Sequence, residues 1–174
     1  TKEVASLFLV IFSIGVAIGS MSINALLKGR VSARYAPASV LVMAIFIVLF
    51  QAACSAQAAR EHDALMDVAT FIAQPLAIPL LASLLGIAVA GGMFVVPLYA
   101  FLTTFVDKAQ TARTIAANNI VNSAAMAAGS LVAMALSALG MVIVEQLLLV
   151  AALCLVSAWL GKLLLRAEEA AAAA

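Results

Sequence analysis

The side chains in this 174-residue chain that could make or break bonds are few, and their spacing argues against such chemistry. Cys54 and Cys154 stand far apart inside apolar runs, without CxxC spacing, and His62 is the single histidine. Zinc sites and disulfide frameworks need denser sets of thiols and imidazoles. Both cysteines are therefore expected to pack as small apolar residues, and no metal is expected. His62 sits beside Glu61 and Asp63, with Asp67 close by, and reads as a solvated loop residue. No Ser–His–Asp set, carboxylate pair or phosphate-binding loop occurs, so neither catalysis within this segment nor a cofactor is expected. A net charge of +1 offers nucleic acid no electrostatic attraction.

The remaining polar groups are neutral, and they are grouped. Asn118, Asn119, Asn122, Ser123, Gly129 and Ser130 follow one another in a single uncharged run, and Ser13, Gly15, Gly19, Ser20, Ser22 and Asn24 do so in another. On a helix Asn118, Asn122, Ala125 or Met126, and Gly129 fall on one stripe. Such a stripe has two uses: hydrogen bonds and close approach between helices, or the wall of a polar cavity. As a cluster the amides favour the cavity, because each would be costly against lipid.

The elements that must position these groups follow from composition. Hydrophobic residue types make up 67% of the chain and charged ones 10%, against about 25% charged in a soluble domain. The charges are confined to short clusters that leave uncharged runs at 4–27, 35–59, 68–106, 114–144 and 146–161. Each supplies, after trimming or with its neighbour, the roughly 20 apolar residues that cross a bilayer core. Backbone groups in lipid must be satisfied internally, and the alternating polarity of a barrel strand is absent, so the spans are expected to be helical. The expected helices run from about Val4 to Leu27, Ala36 to Ala58, Gln74 or Pro75 to Val106, Thr114 to Leu139 and Val142 to Leu165. The second and fifth, being apolar all round, are expected to meet lipid on much of their surface. In the third, Gly91 and Gly92 followed by Pro97 predict a kink or flexible point. No carboxylate lies deep in a span; Glu145 falls in the first turn of the fifth, where the helix N-terminus suits it.

Lys28, Arg30, Arg34, Lys108, Arg113, Lys162 and Arg166 would lie on one side of the membrane, with Lys2 and Arg60 on the other. The positive-inside rule then puts the Lys28–Arg34 loop and the C-terminus in the cytoplasm and Thr1 outside. With no signal peptide and no starting Met, an outside N-terminus reads as a fragment that at least one further helix precedes. Residues 1–166 are expected to form one transmembrane helical unit, and 167–174, ending in five alanines, a helical extension or the start of a linker.

The stretches GGMFVVPLYAFLTT (Gly91 to Thr104) and ARTIAANNIVNSAAM (Ala112 to Met126), separated by a basic loop, resemble the C-terminal half of lysophospholipid transporters of the major facilitator superfamily. They are most similar to bacterial forms fused to a glycerophospholipid acyltransferase and an acyl-carrier-protein synthetase. NALLKGRVSAR (Asn24 to Arg34) is similar to the superfamily's cytoplasmic signature loop, with Asn24 where the signature has an acidic residue. Thr103 stands where related sequences commonly have Gln. The resemblance implies an all-α membrane fold in which the five spans are helices 8–12 of a six-helix half. It also implies an N-terminal half in the same chain and lysophospholipid movement across a bacterial inner membrane by alternating access, feeding phospholipid metabolism. Ser20, Asn24, Tyr99, Asn118, Asn119 and Asn122 are then candidates for the cavity wall, and Gly91, Gly92 and Pro97 for a gate. A facilitator for another solute, such as a drug or a sugar, and a membrane anchor for a fused acyltransferase are the rival expectations.

Overall fold

A computed structural model describes residues 1–59, 66–104 and 106–173 of the chain, with backbone alone beyond 170. Arg60, Glu61, His62 and Asp63, and with them the expected solvation of His62, lie outside the described residues. The chain is an all-α, multi-pass membrane protein, with no strand among the described residues. Its helices are α1 (Lys2–Leu27), α2 (Ala36–Ala58), a short α3 (Val68–Ile72), α4 (Ala77–Thr104), α5 (Thr111–Ala138) and α6 (Ile143–Ala173). All but α3 are long and apolar enough to cross a membrane.

The helix ends follow local chemistry. At the end of α1, Lys28 turns left-handed (φ 51°), with its N–H on the Ala25 carbonyl and that of Gly29 on the Asn24 carbonyl. This pair of bonds caps the last free carbonyls. Gly140 (φ 89°) does the same for α5, through Gly140 N–H to Ser137 O and Met141 N–H to Leu136 O. Pro37 sits in the first turn of α2, where its missing N–H costs little. Asp67 caps α3 by accepting the Thr70 N–H at 2.9 Å, so part of the run that was expected to lead into the third span is a separate turn of helix. Glu145 reaches back at the start of α6 and accepts the Val142 N–H at 3.3 Å. α6 continues past Arg166 without a break as far as Ala173.

Packing is built around α2 and α4. α1 lies along α4, α4 along α2, and α2 along α6. Lipid is as apolar as leucine, so close backbone approach rather than hydrophobicity must hold such helices together. The contacts accordingly fall on small residues. A Cβ on Gly15 would meet Ala88 Cβ at 2.5 Å, one on Gly19 would collide with the Val89 carbonyl, and one on Gly92 would meet Val16 O at 2.6 Å. On the other side Val40, Ala44 and Ile47 of α2 pack with Ala151, Cys154 and Ala158 of α6. Farther from the basic loop, Ala53, Phe71, Ala77 and Leu80 form a second cluster, with Phe8 and Phe71 edge to face at 5.5 Å. Both cysteines are free and pack as expected, Cys154 in the α2–α6 seam and Cys54 against the second cluster.

α2 and α6, expected to face lipid broadly, each divide into two faces. Val40, Ala44 and Ile47 are buried, whereas Val42, Ile45, Val48 and Leu49 are exposed. α5 behaves differently, since none of its residues is buried and it touches only α4 and α6, sparingly.

Candidate functional site

The helix contacts fix which ends lie together. Gly15 meets Ala88 and Gly92 meets Ser20, so α1 and α4 run in the same direction; Phe46 over Gly86 and Met43 beside Gly91 show α2 running against them. Pro37 against Gly161 puts the start of α2 beside the C-terminal half of α6. The α1–α2 loop, the turn between α4 and α5, and the last turns of α6 therefore share one end of the bundle.

The polar candidates lie in the half of the bundle nearest this end. At 1.5 Å per residue, Asn24 is about 5 Å, Tyr99 about 8 Å, Ser20 and Asn118 about 10 Å and Asn122 about 16 Å from the nearer helix terminus. Within that half the structure brings one pair together: the Tyr99 hydroxyl donates to Asn119 Oδ1 at 3.4 Å, a long bond that joins α4 to α5. Asn119 and Asn122 are exposed, and Asn118 is half-buried. Ser20 is half-buried at the α1–α4 contact, and its hydroxyl donates to Val16 O of its own helix at 2.8 Å. Asn24 is exposed in the last turn of α1. α1 and α5 do not touch, and α4 is the element in contact with both, so Ser20 and Asn24 are not gathered with the α5 amides. Thr103 donates to the carbonyls of Tyr99 and Ala100, both at 3.1 Å.

The glycine pair on α4 divides its work. Gly92 is buried where α1 crosses, whereas Gly91 has only Met43 Sδ near its missing Cβ, at 3.8 Å. Pro97 is fully buried inside α4, which stays helical through it. Any conformational freedom the pair confers therefore belongs to Gly91, since Gly92 is committed to packing.

A second arrangement stands at the basic end. Lys28, Arg30, Ser32, Arg34, Tyr35 and Glu168 line a basin of about 590 Å³. Glu168 reaches it from the far end of α6, its Oε2 accepting the buried Ala33 N–H at 2.9 Å. The Arg34 guanidinium lies 5.8 Å from the centre of the Tyr35 ring, within cation–π range. The loop cations were legible as topology signals, but the partnership with Glu168 was not, since 135 residues separate it from Ala33. The only hint was a carboxylate on the continuation of an apolar helix.

The architecture and this distribution of polar groups define a multi-pass helical membrane protein with a neutral polar face on one span and a cationic basin at one end. Comparison with models of protein families, with curated proteins and with solved structures gives no match.

Proposed function

We propose that this chain forms part of a lysophospholipid transporter of the major facilitator type, acting by alternating access in a bacterial inner membrane. In this reading α1, α2, α4, α5 and α6 are helices 8–12, the basic end faces the cytoplasm, Thr1 lies on the periplasmic side, and helices of an N-terminal half complete the path. The observation that carries the proposal is α5. Its neighbours are packed on small residues, yet this 28-residue span has no buried residue and leaves Asn119, Asn122 and Ser123 uncovered. An amide without a partner in hydrocarbon costs roughly 2–7 kcal/mol, depending on the reference state. A helix of this kind is at home where its amides meet water or a polar ligand. Neutral amides, with the Tyr99 hydroxyl already aimed at Asn119, can hydrogen-bond a zwitterionic head group without a fixed counter-charge.

The test is uptake of labelled lysophosphatidylethanolamine by cells carrying the full-length protein with Asn118→Ala and Asn122→Ala together. Two hydrogen bonds at about 1 kcal/mol each predict a fall of about thirtyfold. Unchanged uptake at normal expression removes the amides from the path. Preferred uptake of a labelled sugar or drug would replace the substrate class. Full lysolipid salvage after exchanging the helices for an unrelated membrane anchor would show them to be an anchor alone.

A further inference from the structure

We infer that the basic end of the bundle holds an anionic phospholipid of the surrounding leaflet, with its phosphate in the Lys28–Arg34 basin and an acyl chain in the groove between α2 and α4. This site is separate from the α5 face and does not depend on the transport reading. The first observation is charge. Lys28, Arg30 and Arg34 line one basin with a single carboxylate, Glu168, whose Oε2 already accepts the Ala33 N–H. Among the described residues no ion pair holds any of the three cations. Cations at a membrane surface with no protein counter-ion favour anionic head groups.

The second observation is shape. Tyr35 lines both the basin and an apolar groove of about 500 Å³ that continues along α2 and α4 past Ala38, Val42, Leu85 and Gly86. Phe46 lies over Gly86 deep in this groove, where a Cβ on Gly86 would stand 2.5 Å from the ring. The distance from Tyr35 to Phe46 along α2 is about 16 Å, and one leaflet of a hydrocarbon core about 30 Å thick is about 15 Å deep. A charged basin at the interface that opens into an apolar groove one leaflet deep matches an anionic head group attached to a chain. A free anion would use only the basin, and a zwitterionic lipid, whose own cation offsets its phosphate, would gain less from the basin than an anionic one.

The experiment uses the full chain in phosphatidylcholine nanodiscs, with Trp159→Phe removing the one natural tryptophan and Val42→Trp placing a reporter in the groove. Quenching by dibrominated phosphatidylglycerol is compared with quenching by dibrominated phosphatidylcholine. Each cation near the surface is worth about five-fold, the equivalent of about 1 kcal/mol. Three cations less one carboxylate predict a preference of about 25-fold for phosphatidylglycerol. Combining Lys28→Gln, Arg30→Gln and Arg34→Gln should abolish that preference. Lys28→Gly alone should lower it about five-fold while relaxing a left-handed lysine, so that misfolding is not the cause of the loss. Equal quenching by the two lipids, an undiminished preference in the Lys28→Gly protein, or displacement of phosphatidylglycerol by millimolar inorganic phosphate would each overturn the inference.

Discussion

Exchanging Gly92 for alanine should loosen the bundle, whereas the same exchange at Gly91, one residue earlier, should tighten it slightly. The new methyl at position 92 would stand 2.6 Å from Val16 O, 3.1 Å from Ser20 N and 3.3 Å from Gly19 Cα. The first of these is about 0.8 Å short of the 3.4 Å at which ordinary contact begins. Its neighbours are backbone atoms of α1 and cannot rotate away, so α1 and α4 must separate. A gap of 0.5–1 Å forfeits a quarter to a half of each contact along the seam, and Gly15 and Gly19 share that seam. Overpacking of this kind typically costs about 1–3 kcal/mol. At position 91 the methyl would meet only Met43 Sδ at 3.8 Å, and the gain in helix propensity over glycine is up to about 1 kcal/mol. The two variants should therefore differ by about 2–4 kcal/mol with opposite signs. Titrating purified protein from mild detergent into SDS, followed by far-ultraviolet circular dichroism and Trp159 fluorescence, measures the difference. Equal midpoints for the two variants would refute the close-approach account of the α1–α4 contact. If Gly91 is also a flexible point during transport, Gly91→Ala should slow uptake while raising stability.

Glu168→Ala should release the Ala33 N–H from its charge-assisted bond. At about 1.5 kcal/mol for a part-buried bond of this type, hydrogen exchange at Ala33 should quicken about tenfold, with exchange in α4 unchanged. Asp67 is held below its ordinary range by the Thr70 hydroxyl first and the Thr70 N–H second. A depressed carboxylate stabilises its cap above the unfolded value and loses that contribution as pH falls through the folded one. The Thr70 amide resonance should therefore stay constant near neutrality and move only at a pH below the ordinary value of about 3.9. Asp67→Asn should abolish the movement.

Residues differ in how far their place was legible beforehand. The span from Ala36 to Ala58 was readable to the residue, because charges flank it and Pro37 marks its first turn. α3 was not, because a five-residue helix capped by Asp67 carries no periodic signal of its own. The cavity candidates were legible as residue types on particular helices. Which of them meet was not legible: Tyr99 and Asn119 do, whereas Ser20 turns back on its own helix.

From its sequence alone the chain is determined to be a set of membrane-spanning helices with the cations of Lys28–Arg34, Lys108, Arg113, Lys162 and Arg166 at one end. Both follow from transfer between oil and water, which depends on composition and length. Tertiary structure alone decided that α2 and α4 form the centre, that α5 stands apart, and that Glu168 closes on the α1–α2 loop. In a hydrocarbon solvent the inward and outward faces are equally apolar, so hydropathy cannot rank them. What ranks them is the fit of one backbone against another at Gly15, Gly19, Gly92 and Gly161, and fit exists only once the helices are side by side.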